Sequence, residues 1–104
     1  MRSEVLKGHV DLLLLATLRH GPLHGYGVVE KLRGQSEGAF DLAEGTVYPA
    51  LYRLEGSGLL ASKWTKLSGR RRRVYRLTER GRKELLRERS EWKSFANAME
   101  AVVA

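Results

Sequence analysis

Seven basic side chains and no acidic one lie between Glu55 and Glu79: Lys63, Lys66, Arg70, Arg71, Arg72, Arg73 and Arg76. Cations at this density neutralise a polyanion, releasing the counterions condensed on its phosphates and steering it from a distance. The charge is also localised. From Lys66 to Lys93 twelve Lys or Arg meet four Glu, net +8, whereas the rest of the chain sets seven basic residues against eight acidic ones, net −1. A solvated basic face would explain an isolated run, but solubility does not require such concentration, and nucleic acid is the favoured partner.

Other chemistry finds little support. His20 and His24 have the i, i+4 spacing of a metal pair, but Gly21-Pro22 breaks the helix between them and no Asp or Glu stands at a complementary spacing. Ser36 and Ser57 have no evident base, and no glycine-rich strand–loop–helix is present to cradle a phosphate. His9 and His24 read as capping or packing residues. Without cysteine the chain has no disulfide, thiolate nucleophile or Cys-based zinc site. No catalytic residue, metal or cofactor is expected. The longest apolar run, 12–16 continuing to Leu18 across Thr17, is too short to span a bilayer. A cytoplasmic protein with no membrane partner is expected.

The elements that must position the cations follow from periodicity. A first helix over 9–19 has more than one apolar face (Val10, Leu13, Leu14, Leu18) and is stopped by Gly21 and Pro22. A second, over 23–35, buries Leu23, Tyr26, Val28, Val29 and Leu32. Its Gly25 and Gly27 each cost about 1 kcal/mol against alanine in a free helix, which close packing would justify. A third helix over 44–56 carries Val47, Leu51 and Leu54 at i, i+4, i+7, with Pro49 near enough to its first turn to cost little. Strands over 60–66 and 72–77 join at Leu67, Ser68, Gly69 and Arg70, and Val74 alternates with Arg73 and Tyr75 so that basic side chains face solvent. Thr78 caps a last helix that runs to about Val103, with Glu79 at its positive end.

A short helix followed by a cationic hairpin is the order of parts in a winged helix: recognition helix, then wing. The polar groups of the 44–56 helix are Thr46, Tyr48, Tyr52 and Arg53. Arg53 suits a guanine or a phosphate, its late position favouring phosphate; Tyr48 is the better contact candidate, and Tyr52 is as readily a packing residue. On the last helix Leu85, Trp92 and Met99 repeat every seven residues, Ala96 and Val103 form a second such set, and Phe95 and Val102 lie beside them. This seam suits a second subunit, or folds back on the first helix, or does both. The fold class is therefore α+β, mostly α, with a winged helix-turn-helix over 1–77 and a C-terminal dimerisation helix over 78–104.

Four stretches, LKGHVDLLLLATL, GPLHGYGVVEKL, LAEGTVYPALYRLEGSGLL and GRRRRVYRLTERGRKEL, cover nearly the whole chain and resemble the PadR family of transcriptional regulators in its short form with one C-terminal helix. The resemblance implies a dimer on an operator, usually as a repressor, released in many members by a small molecule. It also implies DNA-binding roles for Thr46, Tyr48, Pro49 and Arg53 in the recognition helix and for the wing stretch from Arg71 to Tyr75, including Arg72, Arg73 and Tyr75, which Arg70 joins as a wing cation by its charge, while Tyr26 matches the HGY motif of the second helix. Trp92 falls in the dimer helix, where some relatives place an aromatic residue at a ligand-accepting interface. Flanked by Phe95 and Met99, it would stack a planar aromatic effector or serve as a packed interface anchor. Ending at Ala104, the chain is expected to lack the extended C-terminal domain of larger members, and their effector pocket is not carried over. A winged helix used only to bind another protein is the remaining alternative, and the salt dependence of DNA binding separates the two.

Overall fold

The computed structural model describes residues 3–104, with side chains from Val5 onward. After a short α1 (Ser3–Leu6), α2 (Val10–Thr17), α3 (Gly25–Gln35) and α4 (Glu44–Gly56) enclose a core of Leu14, Leu15, Leu18, Val28, Leu32, Val47, Leu51 and Leu54. Burying each such side chain contributes roughly 1.5–3 kcal/mol. α2 is shorter than its periodicity suggests. The Leu18 N–H closes the last turn on the Leu14 carbonyl, and the buried Thr17 hydroxyl donates to the Leu13 carbonyl at 2.6 Å; among the described residues no buried side-chain nitrogen or oxygen lacks a partner.

Leu23 and His24, expected in the second helix, instead form a two-residue strand, β1 (Leu23–His24), paired antiparallel with Tyr75 and Val74. The free edge of the hairpin offers unpaired backbone groups, and satisfying them outweighs two further helical residues ahead of Gly25 and Gly27. The sheet is thus three-stranded, in the order β1-β3-β2, with β2 spanning Leu60–Leu67 and β3 spanning Arg70–Leu77. Both strands run further toward the tip than expected, because Ser68 (φ 52°) and Gly69 (φ 78°) are both left-handed and form a two-residue turn whose twist matches the ribbon. Leu60, Tyr75 and Leu77 close the core from the sheet side.

The last helix, α5 (Glu79–Val103), is anchored at its start. The Thr78 hydroxyl oxygen accepts the Gly81 N–H at 3.0 Å while the hydroxyl donates to the Gly58 carbonyl at 2.7 Å. A Cβ on Gly81 would stand 2.0 Å from the Leu59 carbonyl oxygen, so only glycine lets the helix start this close to the α4–β2 corner. Twenty-five residues at about 1.5 Å each make a rod of about 37 Å, and the molecule is elongated accordingly, 52 × 28 × 21 Å. Among the described residues no helix is long and apolar enough to cross a membrane.

Candidate nucleic-acid interface

α4 buries Val47, Ala50, Leu51 and Leu54, which leaves Thr46, Pro49, Tyr52 and Arg53 on its exposed side. Pro49 is the sixth residue of the helix, a turn deeper than expected, and deprives the Gly45 carbonyl of its partner one turn on. Gly45 and Pro49 are both exposed, so that acceptor remains open to water or a ligand. Tyr48 is half-buried, its ring lying where a Cβ on Gly25 would be, 2.3 Å from Cε1 and 2.9 Å from the phenol oxygen. The glycine of the HGY motif therefore exists for close packing of α3 on α4, while Tyr26 beside it is exposed. Of the two tyrosines, Tyr52 is the one open to a partner, the reverse of the expected ranking.

Arg53 is exposed but held. Its two terminal nitrogens donate to both oxygens of Asp11 on α2, at 2.9 and 2.7 Å, and the hydrogen bond and charge of Asp11 raise its pKa further. The pair pins α4 to α2 and leaves the other guanidinium donors facing outward.

The hairpin register assigns the wing residues to faces. Directly paired residues share a face, so Ser62/Tyr75, Trp64/Arg73 and Lys66/Arg71 continue the core side of the ribbon, while Lys63/Val74, Thr65/Arg72 and Leu67/Arg70 lie on the other. One expected contact is corrected by burial, and a second is tied to other side chains of the chain. Tyr75 is 1 % exposed, a core side chain whose phenol burial pushes its pKa up, and it does not belong to the wing surface. Arg73 is half-exposed but tied to α4: it donates to the Ser62 hydroxyl at 2.8 Å and to Glu55 at 3.0 Å, Ser62 donates to the other Glu55 oxygen at 2.7 Å, and the guanidinium lies 5.5 Å from the Tyr52 ring and 5.8 Å from that of Tyr75. Arg73 thus fixes the angle between wing and recognition helix. Arg70, Arg71, Lys63, Lys66 and Arg76 are exposed and Arg72 half-exposed. His20 and His24 lie on a loop and on β1, and no group of three or more metal-ligating side chains occurs among the described residues.

On α5 the apolar stripe divides. Leu85 is 8 % exposed and packs in the core of its own chain, which removes it from the expected subunit seam. Trp92, Phe95, Met99 and Val103 stay exposed and Ala96 half-exposed. Between α5 and the α1–α2 segment runs a groove of about 980 Å³ whose walls include Val5, Leu13, Phe40, Leu86, Trp92 and Phe95. The His9 ring approaches Phe95 at 6.4 Å, so the seam does fold back on the first helices over part of its length. Along the polar side, hydrogen bonds from Arg87 and Glu88 hold Glu84 down to about 2, while burial, with the nearby charges of Glu84 and Asp11, pushes Glu88 up to about 7.

Sequence reasoning missed Asp11, Glu55 and Ser62, which hold the two arginines from other elements, and passed over Trp64. The signal for Trp64 was present: an aromatic residue inside a run of cations.

Three helices around a core, the last exposing a polar face, with a cationic three-stranded wing beside it, define a winged helix-turn-helix. The chain belongs to the PadR-like family of transcriptional regulators, whose model matches residues 14–87. It is 37% identical over 86 residues to the transcriptional regulator Rv3488 of Mycobacterium tuberculosis, spanning 83% of this chain and 78% of that one. The structure of a transcriptional regulator from Clostridium thermocellum superimposes with a TM-score of 0.90 at 29% identity, covering 100% of this chain and 99% of that one. Bacillus subtilis PadR, solved in complex with operator DNA, shares the fold at a TM-score of 0.68 and 24% identity, over 74% of this chain and 44% of that one. Membership makes the chain a transcriptional regulator rather than an enzyme.

Proposed function

We propose that the protein is a cytoplasmic homodimeric repressor that binds a pseudo-palindromic operator in double-stranded DNA. The observation that carries this is the exposed face of α4, with Thr46, Pro49 and Arg53, set beside a wing that exposes Arg70 and Arg71 on its two faces and half-exposes Arg72. The complex of Bacillus subtilis PadR with operator DNA supports the same use of the fold here. α4 enters the major groove, Arg53 reaches a phosphate, and Tyr48 acts mainly by seating the helix on Gly25. The exposed stripe from Trp92 to Val103 buries against the same stripe of a second copy, and α5 with the α1–α2 segment forms the dimerisation unit. Two recognition helices about 34 Å apart then read half-sites one helical turn apart.

Trp92, Phe95 and Met99 at that seam offer a flat apolar slot for a planar aromatic effector that, by wedging the helices, changes the spacing of the recognition helices and releases DNA. The groove walled by Trp92 and Phe95 supports this reading. The experiment is a nuclease footprint on the protein's own promoter, repeated across a salt series. A protected two-fold site whose affinity falls steeply with salt is expected, and salt-independent or absent binding overturns the proposal. For the effector, a Trp64→Phe variant leaves Trp92 as sole reporter, and saturable quenching by planar aromatic compounds with matching loss of operator binding is the expected result.

A further inference from the structure

The hairpin carries two arginines on one face, two residues apart, and they are used in opposite ways. Arg73 gives its Nε–H to Ser62 and a terminal N–H to Glu55. The Arg71 side chain, nearer the tip, makes no hydrogen bond or ion pair among the described residues; its guanidinium instead lies over the Trp64 ring, 5.0 Å from the centroid. Trp64 is itself 56 % exposed, with Arg73 directly across the ladder and Lys66 two residues on along the same face. An indole left this open forfeits the burial that most tryptophans find, and stacking under a guanidinium occupies only part of its surface.

Stacking uses the face of a guanidinium and leaves its in-plane N–H donors free. The indole therefore biases where Arg71 lies without consuming a donor, which lowers the ordering cost of presenting those donors to a partner. The wing face that bears the pair continues the side on which Tyr52 and Glu55 of α4 lie, through the Arg73 clamp, so wing tip and recognition helix are held as one body. With α4 in a major groove, a ribbon beside it meets the adjacent minor groove. There a planar cation is drawn most strongly into narrow A·T tracts, where the negative potential is enhanced, and is hindered by the 2-amino group of guanine. A flat apolar ring beside it fits against the sugar walls of a narrow groove and not of a wide one.

We propose that Trp64 and Arg71 together form a minor-groove reading element that gives the protein a preference for A·T-rich DNA beneath each wing, while Arg70, Arg72, Lys63 and Lys66 contribute charge without preference. The proposal rests on the DNA-binding reading above but does not need the operator to be known.

The test is binding of the full chain to three alternating duplexes, d(AT), d(GC) and d(IC), at fixed salt. Inosine–cytosine pairs keep much of the major-groove pattern of G·C but lack the minor-groove amino group, so a minor-groove reader treats them as A·T. The wild type is expected to bind d(AT) and d(IC) about two- to fivefold more tightly than d(GC), the scale of an exposed cation–π pair. Trp64→Ala should bring the three affinities together, and Trp64→Phe should restore part of the difference. Arg71→Lys, which keeps the charge but not the planar fork, should lose the preference at an unchanged salt slope; it carries the test if Trp64→Ala lowers the melting temperature. Salt-dependent binding with a d(IC) affinity equal to d(GC), or a preference untouched by both Trp64→Ala and Arg71→Lys, overturns the inference. Absence of binding to any duplex would instead defeat the DNA-binding reading itself.

Discussion

The protein exposes two tryptophans, and their surroundings differ in a way that separates two kinds of partner. Trp64 stands on a hairpin with no acidic residue from 56 to 78 and lies under the Arg71 guanidinium. Trp92 stands on α5 beside Leu86, Phe95 and Met99, at the edge of an apolar groove. Each is about half exposed. What differs is the company of the ring: around Trp64 the hairpin's charges are all of one sign and favour a polyanion, whereas Trp92 adjoins an apolar groove where Arg82 and Arg89 stand near Glu88 and Glu91, and its ring gains by leaving water against another apolar surface. Exposure alone therefore does not name a partner; the neighbours do.

The largest test of this contrast removes one side of it. Truncation after Glu91 keeps the buried Leu85 but deletes Trp92 and the rest of the stripe, and should leave a folded monomer by light scattering and circular dichroism. Truncation after Arg82 removes Leu85 as well and should give an insoluble or unfolded chain. A full-length protein that stays monomeric at micromolar concentration would sink the dimer and its half-site spacing together.

Next in size is the cationic side. Replacing Arg70, Arg71 and Arg72 by alanine while leaving the Arg73 clamp intact should weaken binding to random duplex DNA steeply and lower the salt slope by up to about 0.9 for each phosphate no longer neutralised. Retention of the full slope would place the phosphate-binding cations outside the wing. Adding Arg73→Ala should have a different character: Glu55 loses its ionic partner in a half-buried position, and thermal stability should drop by roughly 1–3 kcal/mol.

A smaller and more local effect is expected where α3 meets α4. Gly25→Ala places a methyl group 2.3 Å from the Tyr48 ring, so the ring must swing away at a cost of about 1–3 kcal/mol, visible as a lower melting temperature. The double variant Gly25→Ala/Tyr48→Ala should lose less than the sum of the two changes, and strict additivity would deny that the ring and the glycine are matched.

The smallest effect concerns pH. In the folded chain Glu88 keeps its proton up to about 7, whereas unfolded it ionises near its ordinary 4.5, so across that window the folded state binds more protons and stability falls as pH rises. Glu84, held down to about 2, acts in the opposite sense: its contribution is present above 4.5 and fades as pH falls toward 2. Glu88→Gln should abolish the decline in melting temperature between about pH 5 and 7.5 and leave the acid limb in place. An unchanged profile in that variant would place the neutral-pH titration elsewhere.

Much of the fold was legible because it depends on local pattern. The span of α4, the hairpin with its Ser68-Gly69 turn, the Thr78 cap and the length of α5 all follow from periodicity and from residues that tolerate special backbone angles, which neighbours in sequence specify. The position of the basic surface was likewise a property of charge counting, since no folding rearrangement could bring an acidic residue into the stretch from 56 to 78. Tertiary structure alone decided which arginines are free. Arg73 and Arg71 are the same residue on the same strand face, yet one meets Ser62 and Glu55 and the other meets only a ring, because the ribbon rises away from α4 toward its tip. Arg53 finds Asp11 across 42 positions of sequence, β1 exists only because β3 has an edge to pair, and Leu85 leaves the stripe because α5 starts hard against Leu59. Such pairings depend on distances between elements, and side-chain periodicity within an element carries no record of them.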